Sequence, residues 1–120
     1  MARAPQPKPR SASSSETLTP DYNQLMLRRA YAADIEGVVA ALKAGADVNA
    51  TDPHMGLTAL HIAVSTNNLT LTRILVEDWN AAFKADAAGR WPTLIAAEAE
   101  VDDALSDYIV EAEAKAYYSS

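Results

Sequence analysis

Two histidines, His54 and His61, stand seven residues apart, with Asp52 ahead of the first and Thr58 between them. These types could hold a metal ion or form a base–nucleophile pair. A helical zinc pair needs its histidines at i and i+4, so that both reach the ion from one face. A spacing of seven across a turn does not provide this, and Asp52 with His54 lacks the further ligands a cation demands. The chain has no cysteine, which removes thiolate ligands, disulfides and a cysteine nucleophile. The phosphate-cradling patterns GxGxxG and GxxxxGK[ST], the nucleophile elbow GxSxG and the DxDxDG calcium loop do not occur. The expectation is therefore a chain with no catalytic residues, no metal and no cofactor: not an enzyme.

Charge narrows the partners. Of 120 residues, 49% are hydrophobic and 22% charged, with a formal net charge of −6. A chain that neutralises phosphates needs an excess of Lys and Arg, so nucleic acid and anionic membrane surfaces are not expected partners. No apolar run approaches the roughly 20 residues that span a bilayer. The opening MARAPQPKPRSASSSETLTP lacks the apolar core of a secretory signal, so the default expectation is cytoplasmic. Residues 1–19 are rich in Pro, Ser, Ala and basic side chains; with little apolar surface to offset ordering entropy, they read as a disordered tail of net charge +2. Residues 84–120 carry eight acids against Lys84, Arg90 and Lys115, a local −5. Asp103, Asp107 and Glu111 recur at i, i+4 and i+8; they read either as a solvated helix face or as a patch that steers a basic partner.

The positioning elements read as short helices. TPDY places Thr19 as N-cap, Pro20 at the first helical position and Asp21 in the first turn. Leu27, Ala30 and Tyr31 share one face, and Ile35, Val38, Val39 and Leu42 another. Gly45 suits the residue after a helix end, and the turn-rich DVNATDPHMG follows. Helices are expected through 60–65 and 71–76, and Leu105, Tyr108, Ile109 and Ala112 mark a last one. No useful period-two pattern occurs, so the class is all-α, built of helix pairs.

A 33-residue spacing superposes Ala30, Ala63 and Ala96, Leu27 with Leu60, Leu42 with Leu75, and Gly56 with Gly89. TALHIA at 58–63 resembles the ankyrin signature T-P-L-H-x-A, and KAGADVNA at 43–50 resembles the family's helix end and loop. The resemblance implies an all-α ankyrin-repeat solenoid of helix-turn-helix pairs with hairpin-like turns. It would span residues 20–116, with repeats at about 20–50, 51–83 and 84–116 and a tail at 117–120. Repeat one, with QLMLRR at 24–29, resembles an N-terminal cap. Repeat three, where Trp91 replaces Thr and Leu94 replaces His, resembles a C-terminal cap. One extra residue enters at 52–56, and Asp78-Trp79-Asn80 replaces the usual Gly-Ala-Asp. Three repeats are a minimal stack, so Trp79, Phe83 and Trp91 are expected to add core; the alternative is that one of them is an exposed anchor for a partner. By resemblance, His61 is structural, bonded within its turn and to the next repeat.

The resemblance also implies function: a non-catalytic protein–protein interaction module, acting as regulator, adaptor or inhibitor of another protein. Carried over position by position, the partner-binding residues are Asp52, Pro53, His54, Met55, Leu57, Ser65 and Thr66, with Ala87, Ala88, Arg90 and Glu98 in repeat three. The alternatives are an obligate structural subunit or self-associating protein, and a small enzyme or ligand-binding protein. Alanine-rich composition points to a bacterial source.

Overall fold

A computed structural model describes residues 21–119; the expected N-terminal tail and the cap Thr19 lie outside the described residues. The described residues form α1 (Tyr22–Tyr31), α2 (Ile35–Lys43), α3 (Ala59–Ser65), α4 (Leu69–Arg73), α5 (Pro92–Ala99) and α6 (Asp103–Ser119). Strands are absent among them.

Local chemistry sets most of the helix ends. The Asp21 carboxylate accepts from the Gln24 amide at 3.1 Å, so Asp21 is the N-cap of α1 rather than part of its first turn. Asp34 caps α2 through the Gly37 amide at 2.9 Å, and Asn68 caps α4 through that of Leu71 at 3.0 Å. Each satisfies a donor that a helix start leaves without a partner. Gly45 closes α2 with φ of 120°. Its amide reaches Leu42 O and that of Ala46 reaches Ala41 O, the paired bonds of a Schellman turn. The same paired bonds end α1, α3 and α5, but with Ala33, Asn67 and Glu100 at positive φ. Asn67 tolerates that conformation; Ala33 and Glu100 hold it against the Cβ penalty.

The first helices of the three pairs lie side by side, α1 on α3 and α3 on α5, with α2, α4 and α6 behind them. Met26, Leu60, Ile62, Leu71, Leu75, Leu105 and Ile109 are fully buried between them. Asn67 bridges repeats, its side-chain oxygen accepting from the Asp102 amide at 3.0 Å. Behind, the Tyr108 hydroxyl donates to Glu77 at 2.8 Å, and Arg73 lies over the Tyr108 ring. Burial, and then the Glu77 carboxylate, push the Tyr108 pKa up to about 12.

Three further expectations need adjustment. The helix expected at 71–76 starts at Leu69 and widens into a π-helical turn over Ile74–Asp78. Asn80, the last residue of the Asp78-Trp79-Asn80 stretch, takes φ of 55°. Helix α6 runs on to Ser119, so 117–119 continue it instead of forming a tail. Trp79 and Phe83 pack against the core as expected, but Trp91 is 45% exposed. Trp91 starts the first helix of the last repeat, and no further described repeat follows to cover it.

Candidate protein-binding face

The hairpin before α3 is shaped by one carboxylate. Asp52 accepts from the amides of His54 at 2.9 Å, Met55 at 2.6 Å and Leu57 at 3.2 Å. Its own amide bonds Leu57 O at 3.0 Å, and Gly56 N returns to Asp52 O at 3.2 Å. Partial burial alone would raise the Asp52 pKa; the amides of Met55, His54, Leu57 and Gly56 outweigh it and hold the carboxyl below its ordinary value. Gly56 takes φ of 70°, and a Cβ there would stand 2.9 Å from the Ala87 amide nitrogen. That amide donates to Met55 O at 2.9 Å, joining this tip to the next.

The second tip uses the same device with an added cation. Asp86, whose side chain is fully buried, accepts from the amides of Ala88 and Arg90 at 2.9 Å each. Its other oxygen takes Nε and a terminal nitrogen of Arg90, both at 2.9 Å. The remaining terminal nitrogen of Arg90 meets Glu98 at 3.3 Å. Burial would raise the Asp86 pKa, but the amide and guanidinium of Arg90, with the Ala88 amide, together hold it below its ordinary value. In return Asp86, then Glu98, raises that of Arg90.

His61 links the two tips. It is buried at the third position of α3 in a reciprocal capping box: Thr58 Oγ1 accepts from His61 N at 3.3 Å, and His61 Nδ1 accepts from Thr58 N at 3.1 Å. Its Nε2 lies 3.2 Å from Arg90 O. A carbonyl only accepts, so Nε2 carries the proton and Nδ1 is the acceptor. Burial lowers the His61 pKa despite the Arg90 carbonyl, which favours the protonated ring. The structural role implied by the signature is realised in both directions, within the turn and across to the next repeat.

The expected partner-binding residues therefore divide. Pro53, His54 and Met55 stand together and exposed on the clamped tip, Met55 at 49%. Asp52 is beside them with its oxygens occupied by its own loop. Ser65 and Thr66 are exposed at the far end of α3, where their hydroxyls donate to Ile62 O at 3.0 and 2.9 Å. Arg90 and Glu98 are brought together, but Arg90 is committed to Asp86. Leu57 is a correction: it is only 8% exposed and belongs to the core cluster, because the hairpin arm pairs back on Asp52 and seats this residue against the stack. Sequence reasoning placed Trp91 in the core with an exposed anchor as the alternative, and missed Leu94 as surface; each is 45% exposed. The signal was present: both are large apolar residues standing where the signature has Thr and His.

Among the described residues no three His, Cys, Asp or Glu side chains gather as a metal site. No described helix is long and apolar enough to cross a membrane. A comparison with curated proteins finds no match. The family profile of ankyrin repeats, in three copies, matches residues 29–115. With the 33-residue helix pairs, the linked hairpin tips and the capping-box histidine, that match shows that the chain belongs to the ankyrin-repeat family.

Proposed function

We propose that this chain is a non-catalytic regulator, adaptor or inhibitor that binds one partner protein through its hairpin tips and adjoining first helices. Ankyrin repeats are generally protein–protein interaction modules. The observation that carries the reading is the Asp52 clamp. It holds the backbone of residues 52–57 by three side-chain acceptor bonds while leaving Pro53, His54 and Met55 exposed. A loop already held in shape loses little entropy on binding, and an exposed Met adapts to a partner's contour. Ser65, Thr66 and Glu98 extend the same proposed surface, and Arg90 supports it from below. A cytoplasmic setting goes with this reading, and a sequence without cysteine is compatible with a reducing compartment.

The test is quantitative affinity capture with the full chain beside a His54→Ala/Met55→Ala variant of equal melting temperature. A partner retained by the first and lost by the second supports the tip; equal retention removes the tip from the reading. A self-associating or obligate-subunit role would instead make the melting temperature rise with protein concentration. The module reading expects no such dependence.

A further inference from the structure

Beyond the hairpin tips, the outer end of repeat three carries a groove of about 770 Å³. Phe83, Trp91, Val110, Glu113, Tyr117 and Tyr118 are among its walls. Four of these six are aromatic, and Tyr117 and Tyr118 meet edge to face with ring centres 5.3 Å apart. Aromatic walls with acidic surroundings fit one kind of ligand well: an extended, proline-rich, basic segment, whose rings lie on aromatic faces and whose cations find carboxylates.

We propose that this groove is a docking site for the chain's own segment 4–10, Ala-Pro-Gln-Pro-Lys-Pro-Arg. Three observations carry the assignment. The segment's chemistry matches the groove, with Pro5, Pro7 and Pro9 alternating and Lys8 and Arg10 its charges. Charge is complementary: the first twenty residues are net +2, while residues 84–120 are net −5, with Asp103, Asp107 and Glu111 exposed along α6. The described chain begins at the correct edge. Asp21 stands at the start of α1 and Trp91 at the start of α5, and α1, α3 and α5 pack in sequence. Neighbouring packed helices lie about 8–10 Å apart, so these starts are separated by about 16–20 Å. Eleven residue steps join Arg10 to Asp21, an extended reach of about 36–40 Å. The segment has too little apolar surface to build a core of its own, and the groove supplies one. Fixed proline φ angles keep the ordering cost low.

A spin label tests this in the full chain. Because there is no cysteine, Gln6→Cys takes the label at one place only. The assay reads paramagnetic loss of NMR intensity at the Trp91 indole and Val110 methyls against Asn23 and Thr58. Docking predicts the greatest loss at Trp91 and Val110, reduced by Lys8→Glu/Arg10→Glu and by high salt. Loss that declines steadily from Asn23 through Thr58 to Trp91, or that ignores the charge reversal, overturns the proposal. A mixture of spin-labelled chain with isotope-labelled, unmodified chain provides the remaining check. Loss at Trp91 that appears as strongly in the mixture assigns the groove to a second copy and overturns docking within one chain.

Discussion

Replacing His61 by Ala should be among the most damaging single changes to this domain. The ring is 1% exposed and serves two groups on different repeats: the buried Thr58 amide through Nδ1 and the part-buried Arg90 carbonyl through Nε2. Truncation leaves the Thr58 amide without a partner, at about 1–3 kcal/mol. It also removes one of two bonds at the Arg90 carbonyl, which keeps the Asp86 amide at 2.9 Å, a loss of about 0.5–1.5 kcal/mol. The emptied space adds about 1.5 kcal/mol, so about 3–6 kcal/mol is expected in total. That is a large share of the roughly 5–15 kcal/mol that stabilises a domain. At about 4–8 °C per kcal/mol for a domain of this size, the melting temperature should fall by at least about 12 °C. Urea unfolding followed by helical circular dichroism measures the loss. His54→Ala is the control: it sits exposed on the tip and should stay within about 0.5 kcal/mol of the parent. A His61→Ala chain that loses less than about 1 kcal/mol would refute the reasoning, since the unpaired Thr58 amide alone should cost that much. An unfolded His61→Ala chain counts in favour only where His54→Ala stays folded.

Other outcomes follow from the same geometry. Burial holds the His61 pKa below 6.5 in the folded chain, so the unfolded chain takes up its proton first. His61's stability contribution is therefore complete above pH 6.5 and is lost as pH falls through the lower folded value. The slope cannot exceed about 1.4 kcal/mol per pH unit. Urea midpoints between pH 7.5 and 5 should show this fall in the parent and not in His61→Ala. Asp52 and Asp86, held below 3.8, lose their contributions only further down, as pH falls from 3.8 through their folded values. Ala33→Gly should stabilise the domain by about 1 kcal/mol, because φ of 58° penalises any Cβ; a lower urea midpoint would count against the Schellman geometry. Gly56→Ala should cost about 1–3 kcal/mol and speed hydrogen exchange at the Ala87 amide, since its Cβ would press on that nitrogen at 2.9 Å. Unchanged Ala87 exchange would show that the two tips are not joined there.

Much of the fold was legible because it is written locally. A helix face shows itself as apolar residues at i, i+3, i+4 and i+7, as at 35–42 and 105–112, whatever packs against it. Gly45 and Gly56 mark departures from regular backbone because glycine takes positive φ without a Cβ penalty. The pairing of Thr58 with His61 was legible as a motif, and the capping box behind it spans just three residues. Other features depend on what lies across the stack. Ala33 at φ of 58° has no local signal; the chain adopts it because α1 must stop and α2 must turn back onto it. Leu57 and Met55 are neighbours on one hairpin, yet the pairing with Asp52 buries the first and exposes the second. Arg90 looks like a surface cation until Asp86, buried beneath it, takes both of its inner nitrogens. Trp91 looks like core, yet no described element covers it. The sequence by itself determined the helices, their period and the structural histidine, because backbone conformation and capping follow from adjacent residues. Only the tertiary structure decided which side chains the surface keeps, because burial and hydrogen-bond partners are set by repeats distant in the chain.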